Sequence, residues 1–431
     1  MTQGTNLIPK SARRGSKAKP SVLMVAKTLF PDSYGGLCRG VFEIANRLTE
    51  DGFPVTVLHL RKCSSGGSDL WHFKTQPYSV GGVTRFLPGD MRLLIPAFAG
   101  YRRIMRHTEF DVVLSFHSLA GLLCYLHAAM RRIPVVSFFA APGFLDWLSD
   151  KRDVSSRNVS FWARAAFSIK LLSGSRISRC LEHLTLRVST LVLALSRYSL
   201  STIEQYFPDI LARARVCYWG VDVTTFRPAR NEEEKQLCRE SLGFSSDSQI
   251  VLSVRRLVPR MGLDVLIDAF SLVARESKHA VLLIAGDGPL RKQLEQQVSQ
   301  LDCRARIRFL GLVPEEMLPP LYRAADLFVV PTLELEGLGL VTLEALASGI
   351  PVIGTDVAGT REILEQVERK CLIKNLEPGL LAQGLMDILR LTENKRQALG
   401  EKGRELAEKV FAWDSVVRNV ESHLEDIRQH G

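Results

Sequence analysis

The sequence lacks the cysteine spacing of a metal site or of a disulfide framework. Its eight cysteines are scattered over 431 residues, and no two of them form a C-x-x-C pair. Isolated cysteines of this kind are expected to be reduced thiols in a cytosolic protein. The spacing therefore argues against a zinc module and against a small secreted scaffold. The cysteines are Cys38, Cys63, Cys124, Cys180, Cys217, Cys238, Cys303 and Cys371.

Long hydrophobic runs are also scarce. Residues 1–20 are polar and basic and have no apolar core of the kind that a signal peptide needs, so we expect a disordered basic arm. The first apolar run, 21–26, is too short to cross a bilayer. Residues 112–130 contain no Lys, Arg, Asp or Glu and approach the length of a membrane helix. They divide better into a buried strand, a turn and a buried helix, as in a sheet that is covered on both faces.

Positive charge is in excess, and it is concentrated in the first half of the chain. The formal net charge is +10. Residues 1–230 hold 31 Lys and Arg against 15 Asp and Glu, whereas residues 231–431 hold 25 against 31. The unequal halves predict two domains with different partners. The basic half favours an anionic partner, such as a membrane surface, a phosphorylated acceptor or nucleic acid, unless its charge serves only solubility.

Apolar runs alternate with helical patterns from residue 21 onward. Val41, Ile44, Ala45 and Leu48 lie at i, i+3, i+4 and i+7, which predicts a helix over 37–51. Short strands separated by helices predict an α/β fold with mainly parallel, doubly wound sheets. The predicted strands are 21–26, 54–60, 111–116, 134–139, 190–196 and 215–219 in a first cycle, and 249–257, 280–286, 306–311, 327–332 and 350–356 in a second.

The two cycles predict two Rossmann-like domains in tandem, residues 21–220 and 221–408. A polar, charged stretch near 220–245 is the expected linker. From about residue 376 onward the patterns are helical only, and a helix over 409–431 is expected to return to the first domain. The region 150–190 breaks the alternation. It fits either a basic amphipathic surface that rests on anionic lipid or ordinary helices that cover a sheet edge.

Two glutamates stand at the ends of the segment "EGLGLVTLE". On one continuous helix, Glu336 and Glu344 would lie about 12 Å apart along the axis and about 80° out of register. Gly337 and Gly339 argue against that helix and predict a loop, with the helix beginning near Leu340. A helix N-terminus preceded by glycines binds anions, because its free N–H groups point outward and no side chain obstructs them. The arrangement predicts a ligand with a phosphate between two polyols, as in a nucleotide sugar.

The stretch "ELEGLGLVTLEALASGIPVIGTDVAGTREIL" resembles the donor-site motif of family 4 glycosyltransferases. That family has the GT-B fold, in which two Rossmann-like domains enclose a cleft. Six other segments, all earlier in the chain, occur in the same order as in the family. The resemblance covers the chain from about 21 to 410. These segments are "SYGG", "LSRYS", "WGVDVTTFRP", "SVRRLVPRMGLDVLIDAF", "AGDGP" and "FLGLVP".

The resemblance implies roles for residues of the second domain. Glu336 matches a glutamate that meets the hydroxyls of the donor sugar, and Glu344 matches one that binds both ribose hydroxyls. The backbone of Val313 is expected at the nucleobase. Arg256 matches an arginine that neutralises the leaving diphosphate, where charge builds up as the glycosidic bond breaks. The amides expected to hold sugar and phosphate oxygens are those of Gly337, Leu338, Gly339 and Leu340.

The resemblance also implies roles in the first domain. Gly35 and Gly36 match a loop whose backbone faces the diphosphate across the cleft, although an ordinary tight turn explains them too. His117 matches a histidine close to the reacting sugar. It follows a predicted parallel strand, which is where ligands bind in such sheets. The expected catalytic residues are therefore His117, Arg256 and Glu336.

Two positions depart from the family pattern. The family often has a lysine in the pattern R-x4-K-G as a second ligand of the diphosphate, and Met261 stands at that position. Arg260 is the candidate replacement, although adjacent helical positions point about 100° apart. The His-Gly that often follows the fifth strand is replaced by "FFAAPG", residues 138–143. The first change bears on donor affinity or geometry, and the second on the class of acceptor.

Together these inferences predict a glycosyltransferase that moves a hexosyl unit from a nucleotide diphosphate sugar, and the resemblance implies that the anomeric configuration is retained and that no divalent metal is needed. The acceptor is expected to be lipid-linked, part of the cell envelope, or a saccharide. We expect no metal, no cofactor besides the donor, no nucleic-acid partner and a cytoplasmic location, with peripheral contact to the inner face of an anionic membrane as an option. A same-fold nucleotide-sugar hydrolase or epimerase is one alternative. A nucleotide-sugar-binding protein that has lost turnover through the change at Met261 is another.

Overall fold

The computed structural model describes residues 19–27, 36–60, 72–78, 93–116, 121–145 and 161–430. The basic arm predicted over 1–20 lies outside these ranges except for Lys19 and Pro20. Gly35 and His117, two of the predicted site residues, also lie outside the described residues.

The first sheet is built from strands that all pair in parallel. They are β1 (Val22–Val25), β2 (Val55–Leu60), β3 (Lys74–Tyr78), β4 (Val112–Ser115), β5 (Val135–Phe139), β6 (Leu191–Ala194) and β7 (Ala214–Val216). Their order across the sheet is β3-β2-β1-β4-β5-β6-β7. Every residue of β1 and β4 is buried, because helices cover both faces of a parallel sheet. This is why these strands are apolar at successive positions.

Helices accompany the strands of the first sheet. The face of the first helix formed by Val41, Ile44, Ala45 and Leu48 is fully buried, as its sequence spacing predicted. The helices are α1 (Gly36–Glu50), α2 (Leu94–Ile104), α3 (Leu122–Met130), α4 (Phe161–Val188) and α5 (Arg197–Tyr206). Residues 112–130 thus contain two separate elements, strand β4 and helix α3, and not one long helix. Within the part of the chain that the structure describes, no helix is long and apolar enough to cross a membrane.

The second sheet repeats the arrangement of the first. Its strands are β8 (Gln249–Val254), β9 (Ala280–Ala285), β10 (Ile307–Gly311), β11 (Leu327–Val330), β12 (Val352–Thr355) and β13 (Leu372–Ile373). All pair in parallel, in the order β10-β9-β8-β11-β12-β13. Each sheet therefore grows outward in both directions from its first strand, which confirms the prediction of two doubly wound α/β units.

The helices of the second half include the one whose start the glycines predicted. It begins at Leu340, as expected from Gly337 and Gly339. The described helices are α6 (Glu232–Ser241), α7 (Leu263–Glu276), α8 (Arg291–Ser299), α9 (Leu318–Ala324), α10 (Leu340–Ala347), α11 (Ala358–Val367), α12 (Pro378–Leu389), α13 (Glu393–Val410) and α14 (Trp413–His430). The helical character predicted from about 376 onward is confirmed by α12, α13 and α14.

Some predicted strands differ in length or were missed. The strand predicted over 327–332 ends at Val330, because Pro331 has no N–H to continue the ladder. The strand predicted over 215–219 ends at Val216, and Trp219 instead packs edge-on against Trp413 with ring centroids 5.9 Å apart. Strands β3 and β13, which lie at the outer edges of their sheets, were not predicted from the sequence.

The last helix joins the two halves of the molecule. After α13, the chain crosses back and α14 packs against α1 of the first domain. The crossing is fixed by a hydrogen bond from the Val221 amide to the Phe411 carbonyl at 2.7 Å. A side chain at Gly220 would collide with the ring of Trp413. The junction between the domains is therefore a packed contact between a linker residue and the start of α14.

Candidate active site

The strand order of each sheet reverses at its first strand, which opens a crevice at the carboxyl ends of the neighbouring strands. In the second sheet these neighbours are β8 and β11. Arg255 and Arg256 directly follow β8, and Thr332 stands just beyond β11. Glu336 lies on the loop 331–339 that starts there. The chain therefore brings two arginines and this glutamate to the topological switch point.

A buried arginine holds Glu336. Arg255 is only 7% exposed. Its Nη1 donates to Glu336 Oε2 at 2.6 Å, and its Nη2 donates to Thr332 Oγ1 at 2.6 Å. The Thr332 hydroxyl in turn lies 3.4 Å from the same carboxylate oxygen. Charge-assisted bonds of this length are strong and directional, so the glutamate has a fixed orientation although it stands in a glycine-rich loop.

Two residues of the 331–339 loop have a left-handed backbone conformation, which residues other than glycine rarely adopt. Leu335 has φ +58° and Gly339 has φ +86°. Arg260 secures the loop, because its Nη1 donates to the Leu335 carbonyl at 2.9 Å and its own carbonyl accepts from Leu333 N at 2.8 Å. A non-glycine residue in the left-handed region persists only when its surroundings enforce it, and such residues cluster at functional sites. The structure thus gives Arg260 a supporting role behind Glu336.

The loop delivers an uncapped helix N-terminus. Among the described residues, no side chain caps the start of α10, where Gly339 occupies the N-cap position. The first bonds inside the helix run from the amides of Thr342 and Leu343 to the Gly339 carbonyl, at 2.9 and 3.3 Å. The amides of Leu340 and Val341 precede these bonds in α10. The first N–H groups of a helix have no carbonyl partner within the helix and can bind a ligand. This end of α10 therefore offers N–H donors and a partial positive charge to an anion.

The first domain reaches the same loop from across the cleft. Ser196 Oγ donates to the Gly337 carbonyl at 2.6 Å. A Cβ added to Gly337 would lie 3.1 Å from the Ala140 carbonyl oxygen, which is tighter than an ordinary van der Waals contact, so the glycine eases the close approach of the two domains. Nearby, the Glu362 carboxylate of α11 accepts from the first two backbone amides of α5, at 3.0 and 3.2 Å. The loop is therefore fixed by contacts from both domains.

Glu344 lies in the second turn of α10 and is bound from behind by a buried tyrosine. Tyr322 is fully buried, and its hydroxyl donates to Glu344 Oε2 at 2.8 Å. Burial raises the pKa of Glu344, while the hydrogen bond from Tyr322 and the charge of Arg39 act in the opposite direction. Burial, with the nearby Glu344 carboxylate, also holds the pKa of Tyr322 well above its usual range. The tyrosine is therefore a permanent donor to this carboxylate.

One cavity between the domains collects predicted residues from both. It has a volume of about 370 Å³. Gly36 enters it from the first domain, and a Cβ added there would lie 2.9 Å from Leu340 Cδ1 of the second. The cavity combines apolar walls with the Glu344 carboxylate, which suits a ring system next to hydroxyl groups. Its lining consists of Gly36, Arg39, Val254, Leu312, Val313, Pro314, Glu315, Leu318, Leu340, Val341 and Glu344.

Two charged residues of this cavity were not identified from the sequence. Arg39 of α1 forms an ion pair with Glu315 of the second domain, and its Nε donates to Glu43 Oε1 at 2.8 Å. The pair spans the cavity from one domain to the other. Trp219 Nε1 donates to the Gly36 carbonyl at 3.0 Å and supports the backbone at the same wall. Arg39 lies three residues after Gly36, but nothing in the spacing predicts a partner 276 positions away.

The structure places the other predicted residues as follows. Arg256 is exposed immediately after β8, while its neighbour Arg255 makes the contact with Glu336. Met261 is 6% exposed and belongs to the hydrophobic core, so that position offers no group to a phosphate. Leu338 is also buried, so its side chain offers no surface to a ligand. The assignment of Arg256 to a leaving diphosphate stays a prediction.

A cavity with a larger volume lies elsewhere. Its volume is about 740 Å³, and it is bordered by Asp111, Pro134, Leu191 and Arg215 together with α14. These residues stand at the amino ends of β4 to β7. Ligands of doubly wound sheets bind at the carboxyl ends, so size alone does not make this cavity the active site. None of the predicted site residues lines it.

Two models of known protein families match this chain in succession. The model for glycosyltransferase family 4 matches residues 34–225, and the model for group 1 glycosyl transferases matches residues 234–406. Together the two models span both domains. The chain belongs to the family 4 glycosyltransferases. Its two-domain architecture is the GT-B fold of that family.

Two curated relatives resemble part of this family 4 chain. An uncharacterized glycosyltransferase of Methanocaldococcus jannaschii is 30% identical over 246 residues, which cover 57% of this chain and 62% of the relative. A GDP-mannose-dependent monoacylated alpha-(1-6)-phosphatidylinositol monomannoside mannosyltransferase of Corynebacterium glutamicum is 33% identical over 201 residues, 45% of this chain and 51% of the relative. The chain thus spans between about half and three fifths of the length of these relatives.

A solved structure extends the comparison over the whole GT-B fold. Anabaena Alr3699/HepE, crystallised in complex with UDP and glucose, matches with a TM-score of 0.73. The match covers 94% of this chain and 100% of the other, at 18% sequence identity. At that identity the likeness establishes the shared fold.

Proposed function

We propose that this family 4 protein transfers a hexosyl unit from a nucleoside diphosphate sugar to an acceptor hydroxyl, with retention of the anomeric configuration. The observation that carries the proposal is the arrangement around α10. An uncapped helix N-terminus lies between Glu336, which is held by Arg255, and Glu344, which faces the cavity. These three features offer one place for an anion and two places for polyols.

In the proposed donor complex, each feature meets one part of the nucleotide sugar. The base occupies the apolar cavity beside Val313, and Glu344 accepts hydrogen bonds from the ribose hydroxyls. The amides at the start of α10 meet the diphosphate, and Glu336 meets the sugar. Arg256, exposed at the end of β8, supplies the compensating charge for the leaving diphosphate. Gly36 brings the backbone of the first domain close to Leu340 from the opposite side.

The proposed reaction breaks the bond between the anomeric carbon and the diphosphate oxygen and forms a bond from that carbon to the acceptor oxygen. The acceptor proton leaves with the diphosphate or passes to a nearby base. The contribution of the protein lies in alignment, exclusion of water and stabilisation of the leaving group. The cross-cleft bond from Ser196 to Gly337 supports such closure, because it joins the 331–339 loop to the first domain. We assign no carboxylate nucleophile.

For the acceptor, we propose a lipid-linked, cell-envelope or saccharide molecule bound mainly by the basic first domain. The described part of α4 presents Ile177 and Leu184 to solvent, at 55% and 40% exposure, near the exposed Arg176 and Arg187. Such a face suits peripheral contact with an anionic membrane from the cytoplasmic side. The relative from Corynebacterium glutamicum is named for a lipid acceptor, which favours the same class.

A thermal-shift screen tests the donor site directly. Purified protein is scanned with UDP, GDP, ADP and TDP and with their common sugars, in buffer containing EDTA. A ligand that binds only the folded state raises the Tm by mass action. We expect a clear shift with one base, preserved in EDTA and lost in Glu344→Ala. No shift with any of them would refute a functional donor site.

Transfer is then measured with and without acceptors. If free sugar is released from the donor as fast without an acceptor as with one, the protein is a nucleotide-sugar hydrolase and not a transferase. Donor binding with no turnover on any acceptor would indicate the binding protein, for which the burial of Met261 is the structural reason. NMR of the product bond tests retention, since the proposal requires the donor configuration at the anomeric carbon.

A further inference from the structure

Two adjacent arginines leave β8, and their side chains have different environments. Arg256 is exposed, whereas Arg255 is 7% exposed. The backbone of Arg255 is fixed as well, because its amide donates to the Ala285 carbonyl at 2.8 Å. Successive side chains of an extended segment point to opposite sides, so one arginine faces solvent and the other faces inward. Arg255, the inward-facing arginine, makes no contact with the donor in the proposed reaction.

Arg255 occupies only one side of the Glu336 carboxylate. Within the described residues, the side-chain hydrogen bonds of Glu336 reach Oε2, from Arg255 Nη1 at 2.6 Å and from Thr332 Oγ1 at 3.4 Å. Oε1 is left for a ligand. The second guanidinium nitrogen, Nη2, bonds to Thr332 at 2.6 Å and prevents rotation of the guanidinium plane. The arrangement therefore both fixes the carboxylate and reserves one oxygen of it.

A second buried pair in the same domain shows what a purely structural arrangement looks like. Arg239 is 3% exposed, and its Nη2 lies 2.6 Å from both carboxylate oxygens of Asp326. The Ile250 amide also donates to Asp326, at 2.9 Å, and Lys235 Nζ lies 3.2 Å from its other oxygen. Both oxygens of this carboxylate are used. The pair lies at the amino end of β11, far along the strand from the crevice.

We infer that Arg255 is a positioning residue that aims Glu336 at the donor sugar and so sets the affinity for the sugar part of the donor. This inference rests on the proposed function, since it takes Glu336 to be the residue that meets the sugar. Arg255 acts through Glu336 and does not itself touch the nucleotide. Removing it should therefore weaken binding of a nucleotide sugar without weakening binding of the corresponding nucleoside diphosphate.

The test measures two affinities for each protein by calorimetry. The probes are UDP with UDP-glucose and GDP with GDP-mannose, and the proteins are the wild type, Arg255→Met and Arg239→Met. Methionine keeps an unbranched apolar chain and removes the charge and the donors. For Arg255→Met we expect the nucleotide-sugar affinity and kcat/KM to fall about 10- to 100-fold, the usual effect of losing a hydrogen bond to a charged group. The affinity for the free diphosphate should stay within about threefold.

The control variant separates positioning from folding. Arg239→Met should lower the Tm while leaving the ratio of the two affinities at its wild-type value. An equal loss of both affinities in Arg255→Met, or no loss of either, would overturn the inference while the proposed function stands. If the wild type binds none of these four probes and its Tm does not shift with ADP, TDP or their sugars either, both fail together.

A lysine variant keeps the test valid if Arg255→Met does not fold. Arg255→Lys retains the charge but cannot bond Glu336 and Thr332 at the same time through a planar fork. We expect a smaller shift of the affinity ratio in the same direction. A double variant with Glu336→Gln should add nothing further to the loss of sugar affinity, because Arg255 acts through that carboxylate. Additive losses would contradict the inference.

Discussion

The hydrogen bond from Tyr322 to Glu344 can be tested by removing a single oxygen atom. The ring of Tyr322 packs against Phe226 and Phe328, with centroids 5.6 and 5.4 Å away. Tyr322→Phe keeps these contacts and removes only the O–H that donates to Glu344 Oε2 at 2.8 Å. A buried acceptor that loses its partner costs about 1–3 kcal/mol. We expect the free energy of unfolding to fall by about that amount at neutral pH.

The loss should depend on pH in a defined direction. Burial already raises the pKa of Glu344, and the Tyr322 hydrogen bond opposes that rise, so the variant should have a still higher pKa at this group. A folded-state pKa above the unfolded value means that the fold favours the protonated acid. The contribution of the group to stability is then present at low pH and is lost as the pH rises through the folded pKa. The cost of Tyr322→Phe should therefore be smaller near pH 5 than near pH 7.5.

Urea unfolding at these two pH values measures the stability, and nucleotide titration measures the binding. The ionised Glu344 is the form proposed to accept hydrogen bonds from the ribose hydroxyls. As the pH falls, Glu344 becomes protonated and donor affinity is lost, and this loss should begin at a higher pH in the variant than in the wild type. Tyr101→Phe is the matched control. Tyr101 and His127 both belong to the first domain, and the buried Tyr101 hydroxyl lies 3.2 Å from His127 Nδ1. This substitution should cost stability without changing donor affinity. Wild-type stability and affinity of Tyr322→Phe at both pH values would refute the reasoning.

Three further predictions concern the same site. Glu344→Ala and Arg256→Ala should each lower sugar transfer by orders of magnitude with an unchanged circular dichroism spectrum, and wild-type turnover in both would remove them from the site. Ser196→Ala removes a cross-cleft hydrogen bond worth about 0.5–1.5 kcal/mol, so the donor KM should rise up to about tenfold in steady-state kinetics; an unchanged KM would show that this contact plays no part in donor binding. Gly339→Ala places a side chain at φ +86° and should destabilise the fold by about 1–2 kcal/mol, whereas Gly379→Ala, with open space around it, should leave the Tm nearly unchanged; equal Tm values would contradict the strain argument.

The sequence predicted those elements whose cause is local. The start of α10 followed from Gly337 and Gly339, and the buried face of α1 followed from the spacing of its apolar residues. The edge strand β3 was missed because its sequence, "KTQPY", has neither alternation nor β-branched apolar residues. Proline is tolerated there because an edge strand has no partner on one side. Only pairing with β2 makes this segment a strand.

The site was predicted in part, and the missing part is non-local. Gly36, Val313, Leu340 and Glu344, which the resemblance assigned to donor binding, line one cavity. The residues behind the glutamates were not found. Arg255 is 81 positions from Glu336, so the contact arises only when β8 and β11 pair.

Tyr322 shows the same limit at shorter range. It is 22 positions from Glu344 and on a different helix. A tyrosine in an apolar helix is an ordinary core residue by its pattern. Its hydroxyl acquires a function only from the carboxylate opposite, and no spacing rule reports that.

The return of α14 to α1 has a consequence for the order in which the protein is made. The first domain is synthesised before the second, yet the helix that covers α1 is Trp413–His430. Until that helix leaves the ribosome, the surface of α1 stays uncovered. Nascent domains with exposed apolar surface are prone to misassembly and are substrates of chaperones. The first domain is therefore expected to reach its final stability only after the second has been translated, so a pause between the two would be more harmful here than in a protein whose domains fold one after the other.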